Sequence, residues 1–477
     1  MSAGSRSRSG STSRLVRVGS ATVATRGRRF DRRGYRRGGV RLLGLWLAVY
    51  VVLTVLPLAL GLIQLDPGRG FWTNLSVALG FVGLSMFGLQ FAMAARNSIV
   101  SDPIGMDVVL VFHRAFGYLA LVFVLAHPII LFAVDPRYLG LLDILSSPWR
   151  AKFAVVSVVA LLLLVVLSAF RRRIRLGYEA WQISHAVLAL VVVTAALLHT
   201  LMVGYYVDQP WERVVWIVYS ALFVGLGLWV RIIKPLSRRR HAWTVESIEP
   251  EPGGAVTIVL RPLSSAAPLT GPFSFQAGQF AWIQARRSPF ALTYHPFSFS
   301  SSAEHPERVT FTIKPHDGFS RDIQELAAGD RVYLDGPFGG FVLPESSPLI
   351  LVGAGVGVTP LLSILETLAD RGDPRPVALW LANRDEDSIT CGAQLETVRA
   401  RLPQLDLVHV LSRPGDGWVG ARGHLDAAFV AGRMPADAAQ REVLICGPEQ
   451  LMNDVESALV AAGVPVENIH SERFGMV

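Results

Sequence analysis

The chain has 477 residues, a formal net charge of +8 at pH 7 and 51% hydrophobic residues. This apolar content exceeds what the cores of a soluble protein need, and it is concentrated before about residue 235. Arginine supplies nearly all the positive charge and lies mainly in the N-terminal tail and at the ends of apolar segments, which argues against nucleic acid as a partner. Two cysteines, Cys391 and Cys446, exclude a disulfide framework and a clustered cysteine site. The composition predicts a membrane half followed by a soluble half.

Residues 1–40 are rich in serine, glycine and arginine, and Asp31 is their single acidic residue. Because they show no apolar periodicity, we expect a disordered basic tail. This composition is typical both of a cytoplasmic tail that touches anionic lipid and of an organellar transit peptide. We favour the cytoplasmic tail.

Six segments that are long and apolar enough to cross a bilayer follow, which predicts a six-helix transmembrane domain over residues 41–235. The segments are residues 42–65, 71–95, 107–134, 153–170, 181–203 and 214–233. Trp72, Trp181 and Trp211 are predicted to anchor the segment ends at the membrane surface. Arginines follow the second, fourth and sixth segments, so we expect an integral protein of the plasma membrane with both termini cytoplasmic.

Four histidines lie at matched positions in the third and fifth segments: His113 and His127 are 127 − 113 = 14 residues apart, and so are His185 and His199 (199 − 185 = 14). At about 100° and 1.5 Å per residue, the two members of each pair lie within roughly 40° on one helix face and about 21 Å apart. Both segments run from inside to outside, so His113 would meet His185 at an inner level and His127 would meet His199 at an outer level. Intramembrane histidines are usually functional, and imidazole binds haem iron axially. We predict two b-type haems; the alternative is four unrelated, hydrogen-bonded histidines.

The soluble half opens with strand-like segments at residues 256–260, 280–284 and 309–313, separated by glycine and proline turns. Residues 241–342 are therefore predicted to form a small antiparallel β-barrel. Residues 295–298 place an aromatic ring beside serine, which could stack on a flat ligand and bind its edge, and residues 318–320 place glycine and serine where backbone N–H groups could bind phosphate. Taken singly, each motif is more simply explained as an ordinary strand or turn.

Strands and helices alternate from residue 346 to residue 477, with strands predicted at 348–352, 377–381, 407–411 and 443–446, which predicts an α/β domain with a parallel sheet. Gly353, Gly355 and Gly357 stand between the first strand and a helix, where the backbone could approach a pyrophosphate. Val358 occupies the position that the usual G-x-G-x-x-G fingerprint gives to its third glycine. We therefore predict a dinucleotide site of a different type.

Taken together, these motifs resemble those of the ferric reductase and NADPH oxidase superfamily, over nearly everything after the tail. That family has a six-helix domain with two bis-histidine haems, a flavin barrel and a nicotinamide domain of the ferredoxin-NADP reductase type. His295-Pro296-Phe297-Ser298 resembles its flavin signature, in which soluble relatives typically have arginine first and tyrosine third. Cys446-Gly447-Pro448 resembles the motif near the nicotinamide ring, and Glu472-Arg473-Phe474 resembles the C-terminal signature, with Phe474 stacking on the isoalloxazine.

The resemblance implies a set of site residues. Those implied to bind FAD or the nicotinamide nucleotide are His295, Pro296, Phe297, Ser298, Lys314, Gly318, Phe319, Ser320, Gly353, Gly355, Gly357, Thr359, Pro360, Arg384, Ser412, Arg413, Cys446, Gly447, Pro448 and Phe474. Those implied to take part in catalysis are Ser298, Cys446, Glu472 and Phe474. Arg384 and Arg413 follow predicted strands where relatives contact the adenosine ribose, and arginine can bind a 2′-phosphate, so we prefer NADPH to NADH. Simple solvent exposure of these arginines is the alternative.

The activity implied is that of a transmembrane NAD(P)H oxidoreductase, which moves electrons from cytoplasmic NADPH through FAD and two b-type haems to a ferric chelate or dioxygen outside. Membrane lipid and a small electron acceptor are the expected partners, nucleic acid is not, and a protein partner or a homo-oligomer is left open. The alternatives are a haem-containing anchor that reduces a partner protein or quinone, and a haem or flavin sensor with little turnover.

Overall fold

The computed structural model describes residues 32–62, 70–95, 106–204, 207, 209–263, 273–285, 290, 294–314, 323 and 326–472. Its membrane half consists of α1 (Arg32–Leu62), α2 (Phe71–Ala94), α3 (Met106–Val134), α4 (Trp149–Ala169), α5 (Tyr178–Val203) and α6 (Pro210–Leu228), and α7 (Lys234–Arg240) leads out of it. Within the described ranges, α2 to α6 contain five segments long and apolar enough to cross a membrane, and α1 contributes the shorter apolar stretch Leu43–Ala59. The predicted helical membrane domain is confirmed.

Four helices begin at least three residues earlier than the hydropathy pattern predicts. α4 begins at Trp149, α5 at Tyr178 and α6 at Pro210, each about one turn before the predicted apolar segment. α1 begins at Arg32, so the last part of the predicted disordered tail is helical, while residues 1–31 lie outside the described residues. Arginine is a good helix former, so the helix of an apolar segment can continue into arginine-rich flanking sequence that hydropathy does not count, here even across Gly34, Gly38 and Gly39.

Small residues allow the membrane helices to pack closely. A Cβ built on Gly83 of α2 would lie 2.7 Å from a methyl carbon of Val124 in α3, and one built on Gly88 would lie 1.9 Å from the ring of Phe223 in α6. Close backbone approach at glycine is a common source of association between helices in lipid. Apolar side chains such as Ile129, at 62% exposure, point outward, as contact with lipid requires.

A side-chain hydrogen bond joins α1 to α6. Pro57 lies inside α1 and has no N–H, so the carbonyl of Leu53, four residues earlier, has no donor from within its own helix. The hydroxyl of Tyr219 in α6 donates a hydrogen bond to that carbonyl. A residue of another helix thus replaces the hydrogen bond that proline removes.

The first soluble domain is an antiparallel six-stranded sheet. Its strands are β1 (Trp243–Pro250), β2 (Val256–Pro262), β3 (Phe280–Ala285), β4 (His295–Ser298), β5 (Val309–Ile313) and β6 (Arg331–Phe338), in the order β4-β3-β6-β1-β2-β5. Alternate apolar side chains form its core, in which Ile258, Phe299 and Phe311 are fully buried. The predicted strands at 256–260, 280–284 and 309–313 are all confirmed.

The second soluble domain is a parallel six-stranded sheet covered by helices on both faces. Its strands are β7 (Leu349–Ala354), β8 (Val377–Asn383), β9 (Leu405–Leu411), β10 (Ala421–Arg422), β11 (Glu442–Cys446) and β12 (Ile469–Glu472), in the order β10-β9-β8-β7-β11-β12. Its helices are α8 (Val358–Asp370), α9 (Gly392–Arg401), α10 (Ala427–Arg433) and α11 (Glu449–Ala461). Because the strands are parallel, their carboxyl ends meet at one edge, where such sheets bind ligands.

The membrane half and the antiparallel sheet meet at an apolar cluster and at a group of ion pairs. Val109 of α3 packs with Phe280, Trp282 and Phe338 of the sheet. Beside this cluster, two ion pairs join Lys234 and Arg238 of α7 to the buried carboxylate of Asp335 in β6, at 3.8 and 3.6 Å. We call them the junction ion pairs.

The Lys234 ammonium also donates a 2.8 Å hydrogen bond to the carbonyl of Ala95, the residue that caps the C-terminus of α2. Lys234 therefore touches both the membrane domain and the soluble domain.

Candidate functional site

The four intramembrane histidines form two pairs that join α3 to α5. The ring centres of His113 and His185 are 6.2 Å apart, with their planes at 54°. The ring centres of His127 and His199 are 6.4 Å apart, with their planes at 60°. Each histidine thus faces the partner that parallel helices and equal spacing predict.

Both separations fit two imidazoles that bind one metal from opposite sides. A bond of about 2.0 Å from metal to nitrogen and a distance of about 1.1 Å from nitrogen to ring centre, counted once on each side of the metal, give a separation between ring centres of about 6.2 Å. Among the described residues no group of three or more His, Cys, Asp or Glu is suited to hold a metal ion, so each pair by itself offers a bare ion too few ligands. Haem iron already has the pyrrole nitrogens and needs only axial ligands, so the histidine pairs fit haem.

Neighbouring groups hold the rings through Nδ1. His127 Nδ1 lies 2.9 Å from the carbonyl of Ser76, and His199 Nδ1 lies 2.8 Å from the carbonyl of Arg150. His185 Nδ1 lies 3.2 Å from the hydroxyl oxygen of Ser168. Because Nδ1 is engaged in these three rings, Nε2 is the nitrogen that remains for a metal.

A row of aromatic rings leads from the inner histidine pair to the antiparallel sheet; we call it the aromatic row. It consists of His185, Trp181 and Tyr178 of α5 and His295 of β4. Successive ring centres are 5.5 Å apart from His185 to Trp181, 5.6 Å from Trp181 to Tyr178, and 4.8 Å from Tyr178 to His295. The Arg171 guanidinium lies over both middle rings, 5.4 Å from that of Tyr178 and 5.1 Å from that of Trp181. The two halves of the chain are thus in contact through aromatic side chains.

The predicted flavin motif forms β4, an edge strand of the antiparallel sheet. His295 pairs with Ile283 and Ser298 with Phe280 in β3. His295 and Ser298 are buried, whereas Pro296 and Phe297 are half-buried.

The rest of the predicted FAD set is described only in part. Lys314 follows β5 and is exposed, with its ammonium beside Gly253. Gly318, Phe319 and Ser320 lie outside the described residues.

Three sequence motifs meet at the carboxyl edge of the parallel sheet. Cys446 of β11 pairs with Gly353 of β7 on one side and with Glu472 of β12 on the other. A Cβ built on Gly339, just after β6, would lie 3.7 Å from a carboxylate oxygen of Glu472, which brings this edge against the antiparallel sheet. Phe474 lies outside the described residues.

The turn between β7 and α8 is shaped by its glycines. Gly355 has φ +52°, in the left-handed region that favours glycine. A Cβ built on Gly357 would lie 2.2 Å from the carbonyl oxygen of Cys446, so the turn lies directly against β11. Thr359 donates its hydroxyl to the carbonyl of Val356 at 2.9 Å and so braces the turn itself.

Three further predicted residues lie in the first turn of α8 or just before α11. Pro360 is buried in the first turn of α8. Gly447 and Pro448 connect β11 to the first turn of α11. Two helix N-termini therefore lie at the same edge of the sheet, where they favour anions.

The thiol of Cys446 is suited to packing rather than to nucleophilic attack. Its side chain is 1% exposed, and burial, followed by the charge of Glu472, raises the pKa of the Cys446 thiol. It therefore stays neutral near pH 7, and a thiolate would be required for nucleophilic chemistry.

The residues predicted at the adenosine end are neighbours. The N–H of Arg413 donates to the carbonyl of Arg384 at 2.7 Å, and that of Ser412 donates to Asn383 at 3.1 Å. The guanidinium of Arg384 pairs with Asp385 at 2.9 Å and is largely exposed. This arrangement is compatible with binding a phosphate and equally with solvent exposure.

Sequence patterns did not single out three residues that contact predicted site residues: Tyr178 beside His295, Ser168 beside His185 and Ser76 beside His127. One signal was available, because positions 178, 181 and 185 are separated by three and four residues and must share a helix face. Trp181, predicted to anchor a segment end at the membrane surface, is half-buried and donates its indole N–H to Ser168 at 3.1 Å.

Family comparisons agree with this order of domains. Residues 79–196 match the ferric reductase like transmembrane component, residues 238–340 match an FAD-binding domain, and residues 351–457 match the oxidoreductase NAD-binding domain.

Individual relatives and solved structures are similar to parts of the chain. The stachydrine N-demethylase reductase subunit of Rhizobium meliloti is 28% identical over 47% of this chain and 64% of its own length. The ferredoxin reductase component of 3-ketosteroid-9-alpha-monooxygenase from Mycolicibacterium smegmatis is 31% identical over 42% of this chain and 56% of its own length. A flavohemoglobin structure from Malassezia yamatoensis aligns with 84% of this chain and 96% of its own, at 21% identity and a TM-score of 0.44. The chain thus spans about three fifths of the length of these curated relatives.

The chain thus combines an FAD-binding domain with an NAD-binding domain, and the relatives that it matches are named as reductase components. The matching transmembrane component and the apolar helices make this chain an integral membrane protein. The chain therefore has the architecture of the ferric reductase and NADPH oxidase superfamily, with a ferric reductase-like membrane domain followed by a reductase module of the ferredoxin-NADP reductase type.

Proposed function

We propose that the protein carries electrons from NADPH on the cytoplasmic side, through FAD and two b-type haems, to a ferric chelate or dioxygen on the outer side. The observation that carries this proposal is the geometry of the two histidine pairs, whose ring centres are 6.2 and 6.4 Å apart inside a ferric reductase-like membrane domain. With haem bound at both levels, and with the flavin domain in contact with the inner one, these pairs would provide a path across a bilayer.

The bound groups supply the redox chemistry: flavin takes two electrons from a nicotinamide as a hydride and releases them singly to iron. The residues of the chain bind and orient them. His113 and His185 would hold the inner iron, and His127 and His199 the outer one. The carbonyls of Ser76 and Arg150 keep the outer rings in a fixed orientation through Nδ1.

The soluble residues would arrange the two nucleotides. The N-terminus of α8, with Gly353 and Gly355 before it, favours a pyrophosphate. Ser298 and Phe297 on the terminal strand would flank the flavin ring, and Glu472 beside Cys446 would border the nicotinamide. Hydride transfer needs the two rings to be held together and needs no side-chain nucleophile, in agreement with the neutral thiol of Cys446.

The charge distribution supports the direction of transfer. Arg171, Arg172 and Arg173 lie at the same end of the bundle as the junction with the soluble domains, which is the pattern of a cytoplasmic surface. When an electron leaves a negatively polarised cytoplasm and crosses the full span, its electrostatic free energy falls by about 2.3 kcal/mol per 100 mV. Outward transfer is therefore favoured by the membrane potential.

Steady-state NADPH oxidation by the detergent-purified full chain, loaded with FAD and haem, tests the proposal. Ferric citrate and oxygen are compared as acceptors, with superoxide assayed in the second case. We expect NADPH to reduce the flavin and then both haems, and one of the two acceptors to reoxidise them. If the flavin is reduced while the haems stay ferric, the proposal is wrong.

The ligands are tested by replacing each of the four histidines singly with alanine. We expect each variant to lose one low-spin haem signal, because an iron with a single axial imidazole does not keep the low-spin state. His424→Ala, at an exposed position of the soluble half, is the matched control and should keep both signals. Unchanged haem spectra in the four variants would show that these histidines are not the ligands.

A further inference from the structure

We infer that Tyr178 and Trp181 are the path by which electrons pass from the flavin to the inner histidine pair, and that Arg171 positions these two rings. The inference rests on the proposed function and adds to it a route between two domains. Neither residue belongs to the predicted cofactor-binding set.

The contacts of the aromatic row are short at every step. Tyr178 lies 4.8 Å from His295 of the flavin motif and 5.6 Å from Trp181, and Trp181 lies 5.5 Å from His185, measured between ring centres. Such separations are those of packed aromatic pairs. From β4 to the inner histidine pair, each ring of the aromatic row thus contacts the next.

The local sequence explains why the rings line up. α5 begins at Tyr178, and positions 178, 181 and 185 follow one another on the same face, one turn apart. Tyr178 is therefore at the end of the helix that meets β4, while His185 is inside the membrane domain. The helical repeat of α5 therefore places these three rings next to one another.

Arg171 and Ser168, both near the end of α4, fix the rings from the side. The guanidinium of Arg171 lies within 5.4 Å of both ring centres, and a cation over an aromatic face is attracted to it. Ser168 accepts the indole N–H of Trp181 at 3.1 Å and contacts His185 Nδ1 at 3.2 Å. Trp181 is therefore held on both its face and its edge.

The step itself is electron tunnelling, in which no covalent bond forms or breaks. One electron leaves reduced flavin and reduces the inner iron from ferric to ferrous, and two such events return the flavin to FAD with release of its proton to solvent. NADPH is the reductant and the external acceptor the oxidant of the whole sequence. Delocalised π electrons of packed rings lower the tunnelling barrier relative to aliphatic side chains, so the rings serve as a bridge and are not themselves oxidised.

Stopped-flow absorbance of the loaded full chain tests the role of the row, by following flavin reduction and inner haem reduction after mixing with NADPH. We expect Trp181→Leu and Tyr178→Leu each to slow haem reduction about tenfold, which corresponds to about 1.4 kcal/mol in activation free energy. Flavin reduction should keep its wild-type rate. Tyr118→Leu, which removes an exposed ring from α3, is the matched control and should change neither rate.

Two further measurements separate a bridge from a structural role. Trp181→Phe keeps a ring but loses the hydrogen bond to Ser168, and we expect it to retain most of the haem reduction rate. Dithionite reduces the haems directly, so the rate of haem reduction by dithionite should be the same in all variants. The low-spin haem spectra and the haem midpoint potentials should also be unchanged, because the haem ligands stay in place. If Trp181→Phe is as slow as Trp181→Leu, or if the potentials shift, the ring is not a bridge and the inference is wrong.

Failure of the route can be told apart from failure of the proposed function. If the wild-type haems are not reduced by NADPH at all, the proposed function is wrong, and the route that rests on it is overturned with it. If they are reduced and both leucine variants match the wild-type rate, electrons take another route and only the inference about Tyr178 and Trp181 is overturned.

Discussion

Gly357 lies in the turn predicted to bind the nicotinamide nucleotide, and its lack of a side chain lets this turn lie directly against β11. Its backbone, at φ −62° and ψ −8°, is allowed for any residue, so the need for glycine is purely steric. We expect Gly357→Ala to push the turn away from the Cys446 carbonyl, at a cost of about 1–3 kcal/mol in unfolding free energy. NADPH affinity should fall, while FAD retention should be unchanged. Thermal unfolding and NADPH titration of the purified full chain measure both effects.

The matched control is Gly432→Ala in α10, where an added Cβ meets no atom within 4 Å. Alanine has the better helix propensity there, so unfolding free energy should stay the same or rise by up to about 1 kcal/mol. If the two alanine variants behave alike, the close approach at Gly357 does not shape the site. The two glycines look the same in sequence, and only the contact with β11 distinguishes them.

At the scale of elements, the pairing of α1 with α6 depends on one hydroxyl. Tyr219→Phe would leave the Leu53 carbonyl without a donor in an apolar setting, at a cost of about 1–3 kcal/mol. Pro57→Ala restores the N–H within α1, and Tyr219→Phe should then cost much less in the double variant. Denaturation of the four proteins in detergent gives the coupling energy between the two positions. A coupling energy near zero would contradict the compensation.

The elements themselves were largely predictable, because hydropathy and alternation are local properties of the chain. The strands at residues 256–260 and 377–381 and the helical membrane segments appear where the patterns indicate. The start of α1 at Arg32 was not predictable from hydropathy, since a helix can extend beyond the apolar stretch that the bilayer selects. The hydrogen bond from Tyr219 to the Leu53 carbonyl, which Pro57 leaves without a donor in α1, joins residues far apart in sequence and leaves no local pattern.

For the whole molecule, the junction ion pairs set the position of the soluble domains against the membrane domain. Asp335→Ala would remove the shared carboxylate of Lys234 and Arg238, at a cost of about 1–3 kcal/mol at this partly buried site. We expect faster hydrogen exchange in α7 and slower transfer from flavin to haem, with unchanged flavin reduction. Glu304→Ala, which breaks an exposed pair with Arg371, should change exchange and rates little. Equal effects of the two substitutions would show that the junction does not depend on Asp335.

Domain order and the histidine pairs could be predicted from the sequence, because spacing along a helix fixes the face on which a side chain lies. The contact between Tyr178 and His295 could not, since it depends on how the membrane domain and the antiparallel sheet meet. The same holds for Asp335, which reads as an ordinary strand residue until α7 is placed beside β6. Long-range contacts of this kind produce no periodic pattern in the sequence, so they cannot be predicted from it.

The matched spacing of the histidines makes the membrane domain sensitive to changes in length. One residue inserted between His113 and His127 would rotate the outer end of α3 by about 100° and turn His127 away from His199. Insertion of seven residues would bring the ring back to within about 20° of its original direction, but about 10 Å higher, where it no longer faces its partner. Insertions and deletions are therefore excluded from the two stretches between the histidines and can be accommodated only in the loops that join the helices.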